Sequence, residues 1–168
     1  MRVWEMPRGF TLIEVLIVLS VVCVVALWAL PSFVSVSNTA KMARLATELN
    51  GLVVMAKSQA VLRRQPLWIH LLTVSGEWAL ELTDNKKEFQ GVVLMRLSGA
   101  SFSGIKLDTT YSSNQISFDA THGRPKSGRF TFYPSQQPEL VLELRTHFRS
   151  AIVRVCSPNK THLGYEVC

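Results

Sequence analysis

Residues able to do chemistry are few in this 168-residue chain, and their spacing excludes most catalysis. The histidines His70, His122, His147 and His162 form neither HExxH nor any pair spaced for zinc. Cys156 and Cys168 lack the second ligand pair that a zinc site needs. No G-x-S-x-G, P-loop or dinucleotide fingerprint is present. No catalytic residue, metal site or cofactor is therefore expected. Three groupings carry other chemistry. Glu14 is the single charge in the run Phe10–Leu30. Cys156 and Cys168 are close enough in sequence to close a small ring, with Pro158, Asn159 and Gly164 to turn the chain; the alternative is two free thiols. Between His122 and Lys160, Arg124, Lys126, Arg129, Arg145, Arg149, Arg154 and Lys160 face only Glu139 and Glu143.

The elements that must position these groups differ along the chain. Hydrophobic residues make up 48% of it, and the excess lies in Phe10–Leu30, FTLIEVLIVLSVVCVVALWAL. At 1.5 Å per residue, such a helix spans about 31 Å, enough for a hydrocarbon core of about 30 Å. Arg2 and Arg8 precede the run and no basic residue follows until Lys41, which places the first nine residues in the cytoplasm and the rest outside. A domain outside the cytoplasm permits a Cys156–Cys168 disulfide; Cys23, inside the run, acts as a small hydrophobe. A secretory signal peptide would be shorter and would end in a small-residue cut site, which Ala26-Leu27-Trp28 does not provide. A plain signal anchor leaves Glu14 unexplained, because a carboxylate inside a membrane helix costs about 2.5 to 3.5 kcal/mol on insertion scales.

Pro31 loosens or stops the helix as it leaves the bilayer, and Asn38 offers a local cap. Leu45, Leu49, Leu52, Val53, Ala56 and Ala60 then recur at helical spacing, an amphipathic helix over 38–64 whose stripe is core. After Pro66 the period changes to two. Strands are expected at 66–72, 78–83, 91–97, 115–118, 129–133, 140–144 and 151–156, with turns at Ser75-Gly76 and Ser135–Pro138. One long helix followed by short strands implies an α+β fold: a transmembrane-plus-amphipathic helix packed on antiparallel β-sheet.

The segment Gly9-Phe10-Thr11-Leu12-Ile13-Glu14, behind a short basic leader, resembles the GFTLIE signature of type IV prepilins and type II secretion pseudopilins. The resemblance implies that prepilin peptidase cuts between Gly9 and Phe10 and that the new Phe10 amine is N-methylated. It implies an ion pair between that amine and a neighbouring subunit's Glu14. The organisation expected is a leader (1–9), a transmembrane helix (10–30), a periplasmic helix (31–64) and a β-rich domain (65–168) closed by the disulfide loop. Ala56–Arg64 with Pro66–Ile69, and Ile116–Asp119 with Gly123-Arg124 and Gly128–Phe132, resemble the GspH/FimT group. The implied role is a minor pilin of a type IV pilus, in the inner membrane and then in the filament, with other pilins as partners. The alternative is a minor pseudopilin supporting protein export.

Net charge is +6, which favours nucleic acid, anionic headgroups or acidic proteins. Some FimT-type pilins bind DNA through a Gly-Arg-x-Arg element entering the last strand. Here the matching residues are Ala151-Ile152-Val153-Arg154, so only Arg154 is carried over. The candidate DNA-binding set is Arg145, Arg149, Arg154 and Lys160. Their other reading is that charges on edge strands keep sheets from pairing edge to edge.

Overall fold

The computed structural model describes residues 11–74 and 76–168, without the side chains of residues 27–35. Gly9 and Phe10 of the expected cleavage site, and Ser75 of the expected turn, lie outside the described residues. The chain divides into two units, Met1–Asn38 and Thr39–Cys168.

Helix α1 covers Leu12–Arg63. In the first unit Thr11 is its cap: the Glu14 N–H donates to Thr11 Oγ1 at 3.3 Å and to the Thr11 carbonyl at 3.1 Å. Thr11-x-x-Glu14 thus has the spacing of a capping box, which places a carboxylate in the first turn where the helix dipole favours it. Every described side chain from Thr11 to Ala26 is exposed, so the apolar surface of this stretch is unburied on all sides. Such a helix is stable only inside lipid or among other helices. Among the described residues no helix is long and apolar enough to cross a membrane.

The helix corrects two expectations. It runs through Pro31 and through Asn38, so Pro31 is no stop and Asn38 no N-cap. A proline removes one N–H, a loss that a 52-residue helix survives. The actual stop is Arg64, in the left-handed region at φ 53, with the Gln65 N–H reaching back to the Ala60 carbonyl at 3.3 Å. This is a Schellman-type end without glycine, and Pro66 prevents continuation.

In the second unit the strands are β1 (Leu67–Val74), β2 (Glu77–Thr83), β3 (Val93–Ser98), β4 (Ile105–Thr109), β5 (Gln115–Phe118), β6 (Gly128–Pro134), β7 (Leu142–His147) and β8 (Ile152–Cys156). They form two four-stranded antiparallel sheets in the orders β3-β2-β1-β5 and β4-β6-β7-β8. The helical stripe Leu45, Leu49, Leu52, Val53, Ala56 and Ala60 is buried, joined by Met42 and Ala46. It forms one cluster with Leu67, Ile69, Leu80, Leu82, Ile116 and Phe118 of the first sheet and Ile105, Leu107, Phe130, Phe132, Leu142 and Leu144 of the second. The α+β architecture is as expected.

Strand β4 is absent from the expected set: its five residues carry too short an alternation to stand out until β6 pairs with them. Strand β7 begins at Leu142 and not at residue 140, because the Leu140 N–H is taken by the Gln137 carbonyl, which draws Leu140 into the turn.

Candidate functional site

The second sheet alternates inward and outward residues, and the pairing decides which side chains meet. Phe130 pairs with Leu144, and Leu144 with Val155. These face the core. One residue away, Arg129 pairs with Arg145 and Arg145 with Arg154, so three arginines from β6, β7 and β8 stand side by side on the outer face. A groove of about 780 Å³ runs over them, lined also by Thr110, His147, Ser150 and Ile152.

Glu143 serves two arginines of this row. Glu143, two residues before Arg145 on the same face, accepts from Arg145 Nε at 2.7 Å and lies 3.7 Å from an Arg129 terminal nitrogen. Its side chain is 6% exposed, whereas those of Arg129 and Arg145 are 46% and 38% exposed. The pairing therefore desolvates the acid and leaves the guanidinium groups reaching solvent. Arg154 donates to the Cys168 main-chain oxygen at 2.6 Å. Cys168 is bonded to Cys156, whose Cα lies 5.0 Å away. The terminal segment is tied down by backbone as well: the Ser157 N–H donates to the Glu166 carbonyl, and the Cys168 N–H to the Ser157 carbonyl, both at 2.9 Å. The disulfide expected from the sequence is present, and it holds the group that orients Arg154.

Behind the row, Tyr111 braces β6 and β7 from the core side. Its hydroxyl donates to Thr146 Oγ1 at 2.7 Å, and Thr146 donates onward to the Lys126 carbonyl. The Tyr111 ring fills the space that a side chain at Gly128 would need and meets Phe130 edge-on at 5.1 Å. Burial pushes the Tyr111 phenol up to about 12, with the Thr146 hydrogen bond opposing. In the separate groove lined by Arg124 and Lys126, Asp119 organises the loop after β5. Burial would raise its pKa, but donors from His122, Arg124 and Thr121 outweigh it and hold the carboxyl below its ordinary value.

Of the four residues expected to bind DNA, the structure brings Arg145 and Arg154 together and adds Arg129. Arg149 is exposed in the β7–β8 turn and Lys160 in the terminal loop, and neither lines the groove. Arg124 and Lys126 line a separate groove with Trp68 and Phe148. Arg129 was one of seven basic residues in the sequence; only the register singles it out. His70 is buried, its Nε2 lying 2.9 Å from the Asn85 carbonyl and 3.1 Å from Thr83 Oγ1. Among the described residues no group of three potential ligands could hold a metal ion.

Residues 45–160 match the family model described as Type II transport protein GspH, and residues 6–30 match the prokaryotic N-terminal methylation motif. No curated protein sequence matches the chain. Among solved structures it is similar to the type IV minor pilin FimU of Pseudomonas aeruginosa, with TM-score 0.52 and 17% identity over 66% of this chain and 88% of that one. A second crystal form of FimU gives 0.54 and 17% over 66% and 84%. The minor pseudopilin EpsH from the Type 2 Secretion System of Vibrio cholerae gives 0.55 and 12% over 70% and 97%. At these identities the structural likeness shows a shared fold, and the family model, matched over more than half the sequence, shows the family. The chain belongs to the family of Type II transport protein GspH and, with its N-terminal methylation motif, is a minor pilin or pseudopilin.

Proposed function

We propose that the protein is a minor pilin of a type IV pilus, cut by prepilin peptidase between Gly9 and Phe10, N-methylated on Phe10 and anchored in the inner membrane by 10–30 until it enters the filament. The domain carrying Thr39–Cys168 then lies in the periplasm and on the filament surface. The observation that carries this reading is Glu14 in the first turn of a helix whose described residues up to Ala26 are otherwise apolar or small and all exposed. A free Phe10 amine is a cation at the edge of that apolar stretch, and a neighbouring subunit's Glu14 neutralises it on assembly. The pair supplies register that apolar packing alone lacks. Mass spectrometry of the mature amino terminus tests the processing; a chain that retains residues 1–9 refutes it. Glu14→Leu leaves membrane insertion intact and abolishes filament incorporation; incorporation at the normal level refutes the ion pair.

The same anchor serves a secretion pseudopilin. The basic, disulfide-closed carboxy end favours the pilus. Deleting the gene separates the two readings: loss of pili with export intact supports the first, and loss of export with pili intact the second. A nucleic-acid role in DNA uptake is favoured by the arginine row alone, since Arg149 and Lys160 stand apart from it. Mobility shift of duplex DNA at rising salt tests it, and absence of binding at about 50 mM salt removes it.

A further inference from the structure

Three arginines directly opposite one another on adjacent strands repel, and an antiparallel sheet is destabilised by such pairs. Glu143 is the one side-chain carboxylate on the row and is shared by Arg129 and Arg145, while Arg154 is held by the Cys168 main-chain oxygen. The Arg129 and Arg145 side chains remain 46% and 38% exposed, so their guanidinium groups have room for a further acceptor.

We infer that the Arg129–Arg145–Arg154 row is a docking surface for an acidic extended segment of a neighbouring filament subunit. The acceptors already on the row are the two kinds that a peptide presents: a side-chain carboxylate on Arg145 and Arg129, and a main-chain oxygen on Arg154. The row crosses two strand spacings, about 9.6 Å, which an extended segment covers in about three residues. Two carboxylates within four residues therefore reach both ends of it. His147 is the single ring among the groove's lining residues, and no Phe, Tyr or Trp joins it as a platform for successive bases. At its end Ile152 is 51% exposed, an apolar contact suited to a side chain of a peptide. Strand β8 is the edge of its sheet, so the groove is open on that side. This inference rests on the proposed filament role, in which neighbouring subunits bring such a segment to the surface at high local concentration. Glu143 then acts as an internal competitor, holding Arg129 and Arg145 in place until the partner's carboxylate arrives.

The test uses the full chain in non-ionic detergent with fluorescent hexaglutamate as probe, hexaglutamine as control and duplex DNA as competitor. Hexaglutamate binds with affinity that falls as salt rises, and hexaglutamine does not bind. Arg129→Gln and Arg154→Gln each weaken hexaglutamate binding about tenfold, the loss of one charge-assisted hydrogen bond. Arg149→Gln with Lys160→Gln leaves it unchanged, and Glu143→Gln tightens it. Circular dichroism reports whether each variant folds, and the gain in Glu143→Gln cannot arise from unfolding. Absence of hexaglutamate binding at low salt overturns the inference. So does an equal loss in the Arg149/Lys160 variant, which would mean diffuse charge. Displacement of hexaglutamate by duplex DNA at a lower concentration of charge also overturns it, and assigns the row to nucleic acid.

Discussion

Replacing Tyr111 by Phe removes an alkaline weakness from the sheet that carries the arginine row. The phenol is buried and its pKa is pushed up to about 12 from 10.0, because ionisation would place an anion in the core beside Phe130. The unfolded chain ionises at the ordinary value. Below pH 10 the folded and unfolded phenols are both neutral and the group contributes nothing that depends on pH. Between pH 10 and pH 12 the unfolded state loses the proton and the folded state keeps it, so stability falls as pH rises. The slope is about 1.4 kcal/mol per pH unit and the full loss is at most about 2.7 kcal/mol. At neutral pH Tyr111→Phe costs about 1 kcal/mol, the net worth of one hydrogen bond, because Thr146 keeps its bond to the Lys126 carbonyl. The curves for wild type and variant therefore converge as pH rises and then cross. Tyr133, whose pKa is raised by its hydrogen bond to Asp108 and by the charge on that carboxylate, is present in both chains and cancels in the difference. Urea unfolding followed by fluorescence of Trp68 and Trp78 measures the difference at each pH. Parallel curves through the alkaline range would refute the assignment of the buried phenol.

Other perturbations test the remaining supports. Replacing Cys156 and Cys168 by Ser opens a loop of 12-residue separation and costs about 3 kcal/mol in the chain-entropy model, checked by the denaturation midpoint with and without reductant. Gly123→Ala costs about 1 to 3 kcal/mol: the residue sits at φ +63 and its Cβ would lie 2.5 Å from the Lys57 carbonyl of α1. A thermal melt detects that loss, and an unchanged melting temperature would show that the loop yields.

The core stripe was legible in the sequence because it depends on local period. Leu45 to Ala60 repeat at helical spacing, and a helix presents that spacing as one face whatever it packs on. The Thr11–Glu14 cap also has a local signal, the Thr-x-x-Glu spacing before an apolar run. Strand β4 and the start of β7 were not legible. Residues 105–109 become a strand through Tyr133, Phe132 and Thr131 across from them, and Leu140 is claimed by a turn bond to Gln137. The groove was half legible. The basic excess of the carboxy end is a matter of counting, but Arg129 lies 16 residues before Arg145 in sequence and next to it in space. Arg149 is four residues from Arg145 in sequence and outside the groove. Cross-strand register is a long-range property, and no local pattern encodes it.

That register ties the charged row to the core. Arg154 faces outward because Val153 and Val155 face inward, Val155 opposite Leu144. A slip of one residue in β8 would exchange the two faces along the whole strand. Exchanging the two residues, Arg154→Val with Val155→Arg, isolates this link, since composition and net charge stay constant. The guanidinium then stands opposite Leu144 against the core, and the valine stands beside Arg145 on the outer face. Val155 is half-buried, so its lost apolar burial alone is about 1 kcal/mol before the cost of desolvating the charge is counted. A strand that keeps its register shows a fall of at least that size together with the loss of hexaglutamate binding. A strand that slips by one residue restores Arg to the outer face and keeps the binding, but it carries the Cys156 Cα away from Cys168 and impairs the disulfide. The two outcomes are distinguished by thiol titration, and the first is expected, because Cys156 is pinned by its disulfide partner at the end of β8 where it pairs with Glu143.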